Sequence, residues 1–226
     1  MPIELRSGTT SLDGPAGAIQ LIVDAPAEPA QGAPGGLWRG IAVVAHPQPL
    51  LGGSARHKIP HLLARALQQA GWLAVRPNFR GIGGSQGDHD SGFGETDDLL
   101  VVAAALRARL PGLPLALVGF SFGAFVQWRV ARALAERGEP ADRVALAGLP
   151  TGEVAAGRHY ELEGSLPDAM IVHGEHDEEI RLAALLDWAR PQSQPIVVVP
   201  GADHFFSGRL PVLRSLVLAH LSTRMY

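Results

Sequence analysis

The sequence predicts an α/β fold: a mainly parallel sheet of about eight strands with helices on both faces. Three observations carry that prediction. Short apolar runs alternate along the chain with stretches of helical periodicity, the layout of successive βαβ units. At 226 residues, 46% hydrophobic and 18% charged, the chain has material for one large core and lacks the composition of disorder. Finally, the run Leu113-Pro-Leu-Ala-Leu-Val-Gly-Phe-Ser-Phe-Gly-Ala124 passes from strand-like to helix-like through a Gly-x-Ser-x-Gly turn.

Each element follows from its own residues. Ala18–Val23 is apolar and β-branched, so it reads as a strand, with Ile3–Ser7 as its candidate partner. Residues 25–38, rich in Pro, Ala and Gly, read as a hairpin loop: too little chain precedes them for an independent core. Gly40–Ala45 is a buried strand. Over 57–70, Ile59, Leu62, Leu63 and Leu67 recur at helical spacing and stop at Gly71, a suitable C′ residue; Pro60 must then lie in the first turn. Trp72–Arg76 is a strand and a glycine-rich loop follows to Gly94. Thr96–Leu110 is a helix with Asp97 and Asp98 in its first turn, where the dipole favours them. Leu115–Gly119 is a strand and 122–137 a helix. Val144–Ala147 and Ala169–Val172 are strands, Glu178–Ala189 a helix, Pro195–Val199 a strand and Phe205–Leu221 a final helix. The expectation is one domain spanning 1–226.

Composition narrows the function classes. A net charge of −3 gives no electrostatic reason to bind nucleic acid or an anionic membrane. No apolar stretch approaches the ~18–20 residues of a membrane span. The start, Met-Pro-Ile-Glu-Leu-Arg, lacks the layout of a secretory signal, so a cytoplasmic location is expected. With no cysteine there is no disulfide, thiolate metal site or cysteine nucleophile. Neither a metal nor a cofactor is expected. Oligomeric state stays open between monomer and homodimer.

Gly119 and Gly123 give the backbone room for a sharp strand-to-helix bend, from which Ser121 projects instead of packing inward. A serine hydroxyl needs a base, and the base an orienting acid, expected in chain order beyond later strands. The strand ending at Val172 is followed by His173-Gly-Glu-His-Asp-Glu178, and the strand ending at Val199 by Pro200-Gly-Ala-Asp-His-Phe205. His204, alone of nine histidines, has both the position and the order required of the base. Asp177 is the expected acid because it would precede a helix; Glu175 is the alternative, and Glu178 is assigned to that helix's N-terminus. Asp168 lies at the wrong end of the sheet. His173 and His176 lack a third metal ligand of suitable pattern. His57, His61 and His220 are expected on helices, at the surface or half-buried.

An oxyanion needs two N–H donors. One comes from Phe122, after the nucleophile; the other should come from the loop His46-Pro-Gln-Pro-Leu-Leu-Gly-Gly53. Pro47 and Pro49 have no N–H, which leaves Gln48. The glycine-rich loop 76–87 lacks the Gly-Lys-Ser/Thr ending of a phosphate cradle and does not lead directly into a helix. It reads as bracing, with Arg80 pairing a carboxylate or carbonyls near the rim.

Together these segments resemble the small bacterial α/β-hydrolases related to dienelactone hydrolases. They are His46–Gly53, Arg76-Pro-Asn-Phe-Arg-Gly-Ile-Gly-Gly-Ser85, Gly119-Phe-Ser-Phe-Gly123, Gly-Glu-His-Asp177 and Ala202-Asp-His204. The resemblance spans about residues 18–221. It implies an α/β-hydrolase fold and an esterase-like serine hydrolase with Ser121, Asp177 and His204 as its triad. Two features depart from it. Dienelactone hydrolase proper uses a cysteine nucleophile, and related proteins often carry a second histidine where Gln48 stands. Only Gly148–Asp168 is available for a lid, so the site is expected to be lidless and open to small esters. The same machinery serves peptidases, thioesterases and acyltransferases, and a hydrolase fold can also be a binding module.

Overall fold

The computed structural model describes residues 4–28 and 38–222. Its elements in chain order begin with β1 (Gly8–Gly14), β2 (Gly17–Asp24), β3 (Gly40–Ala45), α1 (Lys58–Gln69), β4 (Trp72–Pro77), α2 (Phe93–Arg109), β5 (Leu115–Phe120) and α3 (Phe122–Glu136). There follow β6 (Arg143–Ala147), β7 (Gly152–Val154), β8 (Arg158–Tyr160), β9 (Met170–Gly174), α4 (Leu182–Ala189), β10 (Ile196–Val199) and α5 (Leu210–Ser222). Eight strands form one sheet in the order β1-β2-β4-β3-β5-β6-β9-β10, and β7 pairs with β8 in a separate hairpin. From β4 to β10 every neighbouring pair is parallel; β1 and β2 are antiparallel additions at one edge.

The central strands β3, β4 and β5 are buried on both sides, and their period-2 alternation divides the core into two layers. Ile41, Val43, Leu115 and Leu117 face a layer closed by Leu99, Val102 and Leu106 of α2 and Val126 and Val130 of α3. Ala42, Val44, Ala116 and Val118 face Ile59, Leu63 and Leu67 of α1 and Leu213 and Val217 of α5. The second face is richer in alanine, which lets α1 and α5 lie close to the sheet.

Several boundaries differ from expectation. The hairpin partner of β2 is Gly8–Gly14, in register from Gly8↔Val23 to Gly14↔Gly17. Residues 4–7 form no strand, and Ile3 lies outside the described residues. The segment 25–38 is no hairpin loop, because β4 separates β2 from β3; its residues 29–37 lie outside those described. The helix expected at Thr96 begins at Phe93, and Glu95, not Asp97 or Asp98, serves its first turn by accepting from the Gly92 and Asp90 amides. The helix expected from Glu178 begins only at Leu182, so Glu178 supports no helix N-terminus. Likewise the last helix starts at Leu210, and Phe205 lies in the turn before it. In both loops an aspartate takes backbone amides locally and delays the helix.

Candidate active site

Four loops converge at the carboxyl ends of β3, β5, β9 and β10, where open α/β sheets place their sites. The central bend is the tightest. Ser121 has φ 55° and ψ −125°, a left-handed conformation unusual for a residue with a Cβ, between the end of β5 and the start of α3. The flanking glycines are required by close approach. A Cβ on Gly119 would stand 2.4 Å from the Gly123 carbonyl oxygen, and one on Gly123 would stand 2.5 Å from both the Ala45 and His46 oxygens. The Ser121 amide donates to the Ala147 carbonyl at 2.9 Å, tying the bend to β6.

His204 Nε2 lies 3.0 Å from Ser121 Oγ, and His204 Nδ1 lies 2.8 Å from Asp177 Oδ2. All three residues are buried. Asp177 Oδ1 accepts from the Glu179 and Ile180 amides at 3.0 and 2.8 Å, which fixes its carboxylate. Nδ1 therefore carries the proton facing Asp177, and Nε2 is the acceptor facing the serine. Glu175, the alternative acid, is exposed and accepts from the Gly201 amide instead. Fully buried His173 sits beneath Asp177, its Nε2 donating to the Ile180 carbonyl at 2.8 Å, while His176 is exposed. Burial holds the His173 imidazole below the ordinary histidine range.

Phe122 opens α3, so its N–H is one of the helix's free first-turn donors. Gln48 stands at the neighbouring strand end, since β3 and β5 pair directly through Ala45↔Gly119. Its loop is stiffened from several sides. The Gln48 carbonyl accepts from the Leu51 and Gly53 amides, and Gln48 Oε1 accepts from the Leu50 amide at 3.4 Å. His46 is fully buried: Nδ1–H donates to the Pro47 carbonyl at 2.7 Å, and Nε2 accepts from the Phe79 amide at 3.0 Å. Burial pushes its pKa down to about 3. Arg80 braces the rim as a two-point pair with Asp98, at 2.8 and 3.1 Å.

A cleft of about 600 Å³, open to solvent, surrounds Ser121. One wall is aromatic: His57, which stacks on Phe120 at 5.9 Å and 17°, together with Phe205. Burial, then the nearby His204, lower the His57 pKa, so its ring lines the cleft uncharged at neutral pH. Tyr160 and Arg158 from β8 also line the cleft. Sequence reasoning missed His57, Phe205, Arg158 and Tyr160 as wall residues. Nothing local marks them: His57 precedes an ordinary amphipathic helix, and Tyr160 meets Gln48 across 112 positions.

Fold and site define a class, the lidless α/β serine hydrolases. A model of the thioesterase domain matches residues 84–219, and the chain belongs to that family. A protein of Xanthomonas campestris, XC6422, described as an α/β serine hydrolase without lid, is 32% identical. The match covers 98% of this chain and 96% of that one with a TM-score of 0.80. An α/β serine hydrolase homologue from Coxiella burnetii is 28% identical, over 95% and 97% of the two chains, with a TM-score of 0.77. Protein RP471 of Rickettsia prowazekii is 29% identical over 177 residues, covering 74% of this chain and 71% of that one. In keeping with the lidless class, residues 148–168 hold only the short β7–β8 hairpin. No helix among the described residues is long and apolar enough to cross a membrane.

Proposed function

We propose that the protein cleaves ester-type acyl bonds through a Ser121–His204–Asp177 triad, acting as one domain on small-molecule substrates. The observation that carries this reading is the unbroken line from Ser121 Oγ to His204 at 3.0 Å and from His204 to Asp177 at 2.8 Å. Ser121 Oγ attacks the acyl carbon while His204 Nε2 takes its proton. Asp177 holds the imidazole in the Nδ1–H form and stabilises the imidazolium that results. The amides of Phe122 and Gln48 receive the negative charge that develops on the carbonyl oxygen. His204 then hands its proton to the leaving alcohol or thiol as the tetrahedral intermediate collapses to an acyl-enzyme. Water, deprotonated by the same imidazole, releases the acid and restores the serine.

The thioesterase family match favours a second reading, in which the leaving group is a thiol. A fluorophosphonate probe tests the shared chemistry. Wild type is expected to be modified at Ser121, with the reaction lost in Ser121→Ala and reduced by orders of magnitude in His204→Ala; an unmodified wild type sinks the reading. Paired substrates with the same acyl group, butyrylcholine and butyrylthiocholine, separate the two leaving groups by their relative kcat/KM.

A further inference from the structure

The β8 wall of the cleft has more hydrogen-bond donors than acceptors. Tyr160 Oη accepts from Gln48 Nε2 at 3.1 Å and from Arg158 Nη1 at 3.3 Å. The orientation of the Gln48 amide is fixed, because its Oε1 faces the Leu50 N–H. Both phenol lone pairs are thus engaged, and the Tyr160 O–H is left to donate; no protein acceptor for it occurs among the described residues. Arg158 is held by the same phenol and by the Ala155 carbonyl, 3.1 Å from Nη2. Its Nε is enclosed in the wall, while Nη1 and Nη2 each keep a second N–H, and no carboxylate pairs with the guanidinium among the described residues. Glu179 also lines the cleft but is exposed and makes no ion pair with Arg158. An unpaired guanidinium beside a free phenol proton, lining the same cleft as the serine nucleophile, lacks one thing: an anionic acceptor.

We propose that Arg158 and Tyr160 form an anion-binding subsite, and that the substrate carries a carboxylate or phosphate on its acyl or leaving group. This rests on the acyl-transfer reading for its place in catalysis, though the subsite itself can be tested without turnover. The β7–β8 hairpin that presents Arg158 lies in the segment where a lid would otherwise be inserted. That connection therefore serves recognition here instead of enclosure. In the same cleft, His57 and Phe205 offer an apolar surface for the uncharged part of the same molecule.

Two esters with five-carbon acyl chains make the catalytic test, p-nitrophenyl valerate and mono-p-nitrophenyl glutarate. Wild type is expected to favour the charged ester in kcat/KM. Arg158→Met is expected to lose about tenfold to a hundredfold of that preference, read as the ratio of kcat/KM for glutarate over valerate within each protein, the scale of a charge-assisted hydrogen bond. Equal preference in both proteins overturns the subsite. Arg158→Gln provides the same comparison if the methionine variant does not fold. Calorimetric titration of the catalytically inert Ser121→Ala protein with glutarate and with inorganic phosphate distinguishes the two sources. Binding of either that disappears when Arg158→Met is added supports the subsite and names its anion; binding of neither overturns it. A protein that binds the anion but leaves the fluorophosphonate unreacted would refute the hydrolase reading and not this one.

Discussion

His46 donates from Nδ1 and accepts at Nε2, so both ring nitrogens are committed in the neutral form, and a second proton would break the bond to the Phe79 amide. Its pKa is about 3 in the folded chain against 6.5 unfolded. Between those values the unfolded chain binds more protons, so the stability this ring contributes is present above pH 6.5 and lost as pH falls towards 3. The loss is on the order of 4–5 kcal/mol. His57 and His173 are shifted in the same direction and add to the same acid trend. Nitrogen-15 NMR is expected to find His46 as the uncharged Nδ1–H tautomer down to about pH 4.5; a ring that titrates near pH 6.5 would contradict this account. Asp177 sets the tautomer at the other end of the site. Asp177→Asn is expected to cut kcat by about 10⁴ with the fold intact, because an amide can present an N–H to His204 and turn the ring's proton towards the serine. Near-normal kcat in that variant would move the acid role elsewhere.

The β5–α3 bend is where a small change should cost most. Gly123→Ala would put a methyl group 2.5 Å from the Ala45 and His46 oxygens, both backbone atoms at the end of β3. Neither can move without displacing the Gln48 loop. The expected cost is about 1–3 kcal/mol of stability, the range for overpacking, together with a fall in kcat from misplacing the Gln48 amide. Urea unfolding and ester turnover measured on one preparation check both, and unchanged kcat would separate Gln48 from the reaction. This bend was also the most legible element, because Gly-x-Ser-x-Gly after an apolar run requires its glycines for steric reasons. The buried parallel strands were legible for a similar reason: their apolar runs need no context. The delayed starts of α4 and α5 were not. Asp177 and Asp203 look like helix caps in sequence, yet their carboxylates bind amides within the loops, and the helices start only after those turns. The β7–β8 hairpin was invisible because its three-residue strands, one containing Arg158 and His159, carry no apolar pattern.

At the scale of the whole molecule, the eight-stranded sheet brings residues 48, 121, 177 and 204 to one edge, and order along the chain was enough to anticipate that convergence. The cleft walls depended on side-chain contacts over long separations, such as Gln48 with Tyr160, which no local pattern records. Those walls set the last expectation. Leu51 and Phe205, 66% and 48% exposed, edge the cleft, and the short β7–β8 connection adds no helical cap above them. A growing acyl chain should therefore gain only while it lies against His57, Leu51 and Phe205. Each methylene buried there contributes about 0.8 kcal/mol, roughly fourfold in kcat/KM. Once past these residues the chain emerges into water and further methylenes add nothing. A p-nitrophenyl ester series from acetate to dodecanoate should rise and then level off; a rise that continues to dodecanoate would mean that some part of the molecule folds over the chain.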